Sequence, residues 1–195
     1  MFMNIPPHEI GFDFDGVVAD TFRLFVSLAK ENYGVLIEYD DITHYEFLKA
    51  IDIDEQIAGE IVAQLTYHPH ELELKPMKGA KDVLTTLAGL SPLQLVTARP
   101  VDEPVRLWFA RHVPQIREPD IRIVATKENT AKLEVLQDLE VKYFVEDRLD
   151  TCYQLAQAGI TPIIFEQPWN REEHPFKVVR SWDEISALIQ WNGAL

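Results

Sequence analysis

Cysteine is nearly missing from this chain: Cys152 is the only one among 195 residues. A single thiol excludes an internal disulfide and any thiolate metal cluster. Positive charge is scarce as well, with 18 lysines and arginines against 32 acids and a formal net charge of -14. A nucleic acid polymer is therefore a poor partner, since its binding is driven by lysine and arginine displacing counterions from phosphate. A small anion held through a metal stays open. No stretch is long and apolar enough to span a membrane, and the opening "MFMNIPPHEI" lacks a basic segment followed by an apolar one. The expectation is a cytoplasmic protein with no membrane partner. The six histidines fall in no metal-ligand spacing, with "HPH" at 68–70 reading as loop, and no repeat or low-complexity tract interrupts the chain.

What is present is enough apolar residue, 47% of the chain, for one well-packed domain or one domain with a small insertion. "EIGFDF", "LQLVTA", "IRIVAT", "VKYFVED" and "TPIIFE" predict five strands, each rich in β-branched or aromatic residues and bounded by polar, Gly or Pro positions. Between them "GAKDVLTTLAGL" and "TCYQLAQAGI" predict helices, the second closing on Gly159. Strands alternating with helices imply an α/β fold with a doubly wound parallel sheet, whose ligands bind beyond the carboxyl ends of the strands. Asp13, Thr97 and Asp147 sit at such ends. From Thr21 to Leu74 the strands give out, and "TFRLFVSLAKENYG" and "EQIAGEIVAQL" each carry an apolar helical face. A core of residues 1–20 and 75–195 is expected, with residues 21–74 as a small helical insertion after the first strand and "HPHELELKP" as its return.

The chemistry begins in "GFDFDGVVADT", where Asp13 and Asp15 end an apolar run and, two apart on extended chain, project to the same side. A carboxylate can attack phosphorus to give an acyl phosphate that water later opens, and a second can protonate the leaving oxygen and then activate that water. Asp13 suits the first role and Asp15 the second. Two acids facing a phosphate dianion need a cation between them, and Mg²⁺ with oxygen ligands fits. "YFVEDRLD" brings Glu146 and Asp147; neighbours on a strand face opposite ways, so Asp147 is expected to be the ligand and Glu146 the partner behind it. "LQLVTARP" supplies the Thr97 hydroxyl and the amides of Ala98 and Arg99 as a nest for phosphate oxygens. "NTAKLEVLQDL" places Lys132 in the first turn of a helix capped by Asn129 or Thr130, with Lys127 as a rival phosphate lysine.

With these four segments in this order, the chain resembles the haloacid dehalogenase superfamily of phosphohydrolases. The resemblance covers residues 9 to 150, with "DFDGVVAD", "LQLVTA", Lys132 and "VEDR" standing as the family's four motifs. It implies Asp13 as nucleophile, Asp15 as acid and base, Mg²⁺ on Asp13, Asp147 and the main chain of Asp15, and phosphate on Thr97 and Lys132. It also implies that the helical insertion is a mobile cap. Asp15 distinguishes the chain from the dehalogenating branch, and Glu146 departs from the commoner Asp-Asp pair. "FEQPWNREE" and "VVRSWDEI" resemble the 5'(3')-deoxyribonucleotidase-like members, which implies a small phosphorylated metabolite as substrate, with a nucleoside monophosphate leading. A phosphotransferase of the sugar-phosphate mutase type would use the same residues, and a non-catalytic phosphate-binding protein could keep the fold. Outside the motifs, Asp20 reads as a helix cap, Arg99 and Arg148 as exposed arginines pairing with acids, and Phe22, Phe25, Tyr45 and Phe47 as core aromatics.

Overall fold

Six strands, β1 (Ile10–Phe12), β2 (Leu93–Thr97), β3 (Ile121–Ala125), β4 (Tyr143–Glu146), β5 (Thr161–Phe165) and β6 (Lys177–Val179), make one sheet in the order β3-β2-β1-β4-β5-β6. Every neighbouring pair is parallel. The computed structural model describes residues 3–191, so residues 1–2 and 192–195, the margins of the expected core, lie outside the described residues. The helices are α1 (Thr21–Tyr33), α2 (Glu55–Tyr67), α3 (Ala80–Ala88), α4 (Glu103–His112), α5 (Lys132–Asp138), α6 (Leu149–Gln157) and α7 (Trp182–Ser186). Among the described residues no helix is long and apolar enough to cross a membrane.

Parallel strands covered on both faces must be apolar on both. Successive residues accordingly join opposite layers: Leu95 and Val145 pack with Leu84 of α3, Trp108 of α4 and Ile185 of α7. Val96 and Phe144 pack with Leu136 of α5 and Leu155 of α6. This is the doubly wound arrangement expected from the alternation. Trp108 and Trp182 are fully buried. Burying an aromatic side chain removes roughly 150–250 Å² from water, on the order of 4–6 kcal/mol before chain entropy is counted. Their indole N–H groups keep partners inside the core, Trp108 donating to the Leu74 carbonyl at 2.8 Å and Trp182 to that of Val17 at 2.9 Å.

A short backbone pairing brings together the chain on either side of α1 and α2. Ala19 bridges Pro76 in antiparallel sense, Asp20 N donates to Lys75 O at 3.0 Å, and Met77 N donates to Val18 O at 2.8 Å. Beyond it α1 and α2 share a separate apolar cluster of Phe25, Leu28, Ala29, Ala58, Ile61 and Leu65. Asp54 caps α2, accepting from Gln56 N and Ile57 N.

Local structure departs from the sequence reading in five places. Strand β6 and helices α4 and α7 were not anticipated. Asp20 occupies the cap position of α1 but makes no cap bond, because its backbone (ψ 58°) is turned away from the extended form a cap requires; its carboxylate takes Arg23 Nε at 3.1 Å instead. Neither Asn129 nor Thr130 caps α5: both lie in a preceding 3₁₀ turn, where Lys132 N finds the Asn129 carbonyl and the Thr130 hydroxyl turns to Glu128.

Candidate active site

The strand order reverses between β1 and β4, and an α/β sheet leaves a crevice at that switch point. Asp13 follows β1 there, its amide donating to Val145 O at 2.9 Å. Its Oδ1 accepts from Phe14 N at 2.7 Å, which orients the carboxylate. Glu146 closes β4 and Asp147 follows, and Lys132 reaches in from the start of α5. The Lys132 ammonium lies 2.8 Å from Asp13 Oδ2 and 2.9 Å from Glu146 Oε2. Glu146 Oε1 accepts from the amides of Asp147 and Arg148, both at 3.1 Å. Both oxygens of Glu146 are thus committed to holding Lys132 and the turn.

All four of these groups are buried. Three carboxylates and one ammonium sum to two negative charges when all are ionised, and the low-dielectric interior opposes that. Burial, outweighing the pull of Lys132, pushes Asp13 well above the usual carboxylate range. Burial and the neighbouring Glu146 and Asp13 charges do the same to Asp147. Burial also acts on Lys132, but Asp13 and Glu146 overcome it and hold the ammonium protonated, while Lys132 draws Glu146 down despite burial. One oxygen of Asp147, Oδ1, is buried with no partner among the described residues. Ligand atoms of Asp13, Glu146 and Asp147 lie within 4.8 Å of one another. An excess of buried acids over bases, hard oxygen donors and one orphaned carboxylate oxygen fit a small divalent cation.

Asp15 faces elsewhere. Its Oδ2 accepts from Arg99 Nε at 2.9 Å, and its Oδ1 from Arg99 Nη2 at 2.8 Å and the Thr21 hydroxyl at 2.5 Å. Burial raises this group, but Arg99 and Thr21 prevail and lower it below its ordinary value. The two aspartates therefore do not converge on one point: Asp13 faces Lys132 and Asp15 faces Arg99, since β1 ends at Phe12 and the chain bends at Phe14 between them. Arg99 is buried rather than exposed, and its Nη1 also donates to the carbonyls of Leu65 (2.7 Å) and Thr66 (2.8 Å) near the end of α2. It also alters the expected nest, because Arg99 N donates to the Thr97 hydroxyl at 3.3 Å and leaves the Ala98 amide as the available donor. Thr97 is buried and Ala98 half-buried. Lys127 is exposed with a left-handed backbone (φ 67°), its side chain outside this set. Arg148 stacks over the Tyr45 ring at 4.7 Å and pairs with Asp150.

A cavity of about 200 Å³ opens beside Asp15 and Arg99, walled by Phe22, Phe25, Tyr45 and Phe47. Phe25 also belongs to the α1–α2 core, as the helical spacing suggested, while Phe22, Tyr45 and Phe47 are only partly buried. Burial raises the Tyr45 hydroxyl, as do the charges of Asp147, Asp13, Glu146 and Asp15.

The segment "QPWN" after β5 escaped sequence reasoning as a set of working residues. Trp169 Nε1 donates to Asp147 Oδ2 at 3.1 Å. Asn170 Nδ2 donates to Asp147 O at 2.8 Å and Phe165 O at 2.9 Å. Gln167 Nε2 donates to Gly16 O at 2.7 Å, and Tyr39 donates to Gln167 Oε1 at 2.6 Å. The available signal was two amide side chains around a tryptophan at the carboxyl end of a strand. Gly16 matters here: its φ of +72° favours glycine, and a Cβ on it would fall 2.2 Å from Asp147 Oδ2.

A nucleotidase of Clostridium acetobutylicum is 24% identical over 183 residues, covering 93% of both chains. A haloacid dehalogenase-like hydrolase of Streptococcus pneumoniae superposes with a TM-score of 0.63 at 14% identity, over 96% of this chain and 99% of the other. CbbY of Rhodobacter sphaeroides in complex with phosphate gives 0.52 at 19% identity, over 92% and 97%. The pattern of the family described as "5' nucleotidase, deoxy (Pyrimidine), cytosolic type C protein" matches residues 8–193, and the chain belongs to that family, as a nucleotidase-like phosphohydrolase of the haloacid dehalogenase superfamily.

Proposed function

We propose that the protein is a Mg²⁺-dependent 5'-nucleotidase that cleaves a nucleoside monophosphate through an aspartyl phosphate on Asp13. The observation that carries this reading is the Asp13, Glu146, Asp147 and Lys132 cluster at the sheet's switch point. Asp13 and Asp147, with the main chain of Asp15, would hold the cation, which when bound supplies charge neutralisation for the phosphoryl group. An Asp13 carboxylate oxygen attacks phosphorus, and the bond from phosphorus to the ester oxygen breaks. Asp15 gives the leaving oxygen its proton, then takes one from the water that opens the acyl phosphate, releasing phosphate and restoring Asp13. To do so Asp15 must turn off Arg99 and Thr21. Lys132, the Thr97 hydroxyl and the Ala98 amide meet the equatorial phosphate oxygens. Glu146 keeps Lys132 in place without competing for the cation, since both its oxygens are engaged.

Residues 21–74 form the cap in this reading. Their aromatic cavity beside Asp15 supports a flat apolar group on the substrate, and a nucleobase meets that requirement. The Clostridium relative's description as a nucleotidase supports the same substrate class. The test is phosphate release from nucleoside 5'-monophosphates and sugar phosphates with Mg²⁺, beside the Asp13→Asn protein and an EDTA-treated sample. The expected result is hydrolysis favouring nucleotides, lost in both controls while the folded state persists. Activity surviving Asp13→Asn removes the aspartyl phosphate from the account, indifference to EDTA removes the cation, and preference for sugar phosphates removes the substrate class.

A further inference from the structure

We infer that Trp169 is the positioning residue of the cation-binding carboxylate: its indole N–H fixes Asp147 Oδ2 so that Oδ1 alone is offered to the ion. This rests on the Mg²⁺ reading above and adds a residue that lies outside the four motif segments. Oδ2 is enclosed twice over, by the Trp169 N–H at 3.1 Å on one side and by Gly16 on the other, where a Cβ would lie at 2.2 Å. Oδ1 is buried and unpartnered. The carboxylate therefore has one satisfied and one waiting oxygen, and its plane is set by a rigid ring instead of a mobile side chain. The ring is held in turn by packing, with the Phe22 ring centroid 4.2 Å away and Tyr39 edge-on at 6.0 Å. The main chain beneath is pinned by Asn170, which donates to Asp147 O and Phe165 O. Hydrogen bonds that orient a ligating carboxylate typically govern metal affinity by about 10–100-fold.

The other three tryptophans donate to main-chain carbonyls, Trp108 to Leu74, Trp182 to Val17 and Trp191 to Ser186, so only the Trp169 indole meets a carboxylate. That difference makes the test selective. Mg²⁺ binding to the whole, substrate-free protein is measured by titration calorimetry for wild type, Trp169→Phe and, as a control that loses an indole bond elsewhere, Trp108→Phe. Trp169→Phe keeps the ring against Phe22 and Tyr39 but lacks the donor, and its Kd for Mg²⁺ is expected to rise about tenfold or more. Trp108→Phe is expected to bind as wild type does. A Kd for Trp169→Phe within twofold of wild type, or equal weakening in Trp108→Phe, overturns the inference and leaves the metal reading standing. A wild type that binds no Mg²⁺ overturns the metal reading itself. Should Trp169→Phe not fold, ¹⁵N-indole labelling of the wild type decides: one of four indole resonances is expected to shift strongly as Mg²⁺ saturates, and four unmoved resonances overturn the inference.

Discussion

At the residue scale, the buried charges at the switch point set the stability of the metal-free protein against pH. Burial raises Asp13 and Asp147 above their unfolded values, so the stability each contributes is full below about pH 4 and is lost as pH climbs through the raised folded value. Asp15 and Glu146 are lowered, so their contribution is present above the unfolded value and lost only in stronger acid. The two windows meet near pH 4–5. Without metal the melting temperature is expected to fall from pH 5 to pH 8, and saturating Mg²⁺ to raise it most at the alkaline end. Thermal melts at one-unit pH steps check this, and a metal-free Tm that rises across that range contradicts it. That Asp13, Lys132 and Asp147 come together was legible in the sequence because each stands beside its own strand end or helix start, whereas the turn of Asp15 toward Arg99 was not. Arg99 and Trp169 were not, because their meaning comes from partners 84 and 22 positions away.

At the scale of elements, Arg99 joins what the chain keeps apart. One guanidinium holds the Asp15 carboxylate and the last carbonyls of α2, groups that otherwise end a helix without partners. Arg99→Met strands a partly buried carboxylate and two carbonyls together. It is expected to destabilise the protein by about 3 kcal/mol, with amide exchange accelerated at the end of α2 ahead of the sheet. Urea unfolding and exchange mass spectrometry measure both, and protection at α2 equal to wild type contradicts the strut. Strands β1 to β5 were legible because each is an apolar run closed by a polar or Gly/Pro position. β6 was not, since Lys177–Val179 is too short to show a period, nor were α4, which carries a proline at its second position, and α7, which is only five residues long.

At the scale of the whole molecule, a net charge of -14 repels the dianionic phosphate esters of the proposed reaction. Raising ionic strength from about 10 to 150 mM shortens the reach of that field from roughly 30 to 8 Å. With Mg²⁺ saturating, kcat/KM for a nucleoside monophosphate is expected to rise about twofold over that range, and a fall contradicts it. The charge imbalance was plain in the composition, whereas the pairing of Ala19 with Pro76 was not, since a single bridge has no sequence period. The sheet order carries a last consequence, for the time order of assembly. β1 lies at the centre, with Gly11 beside Gln94 on one side and Phe144 on the other. A ribosome delivers this innermost strand first, and must then add more than eighty residues before either neighbour exists. In that interval α1 and α2 can close their own apolar cluster through local contacts, while the segment bearing Asp13 waits unpaired. Of the six strands, the first to be made is thus the one that waits longest for both of its neighbours.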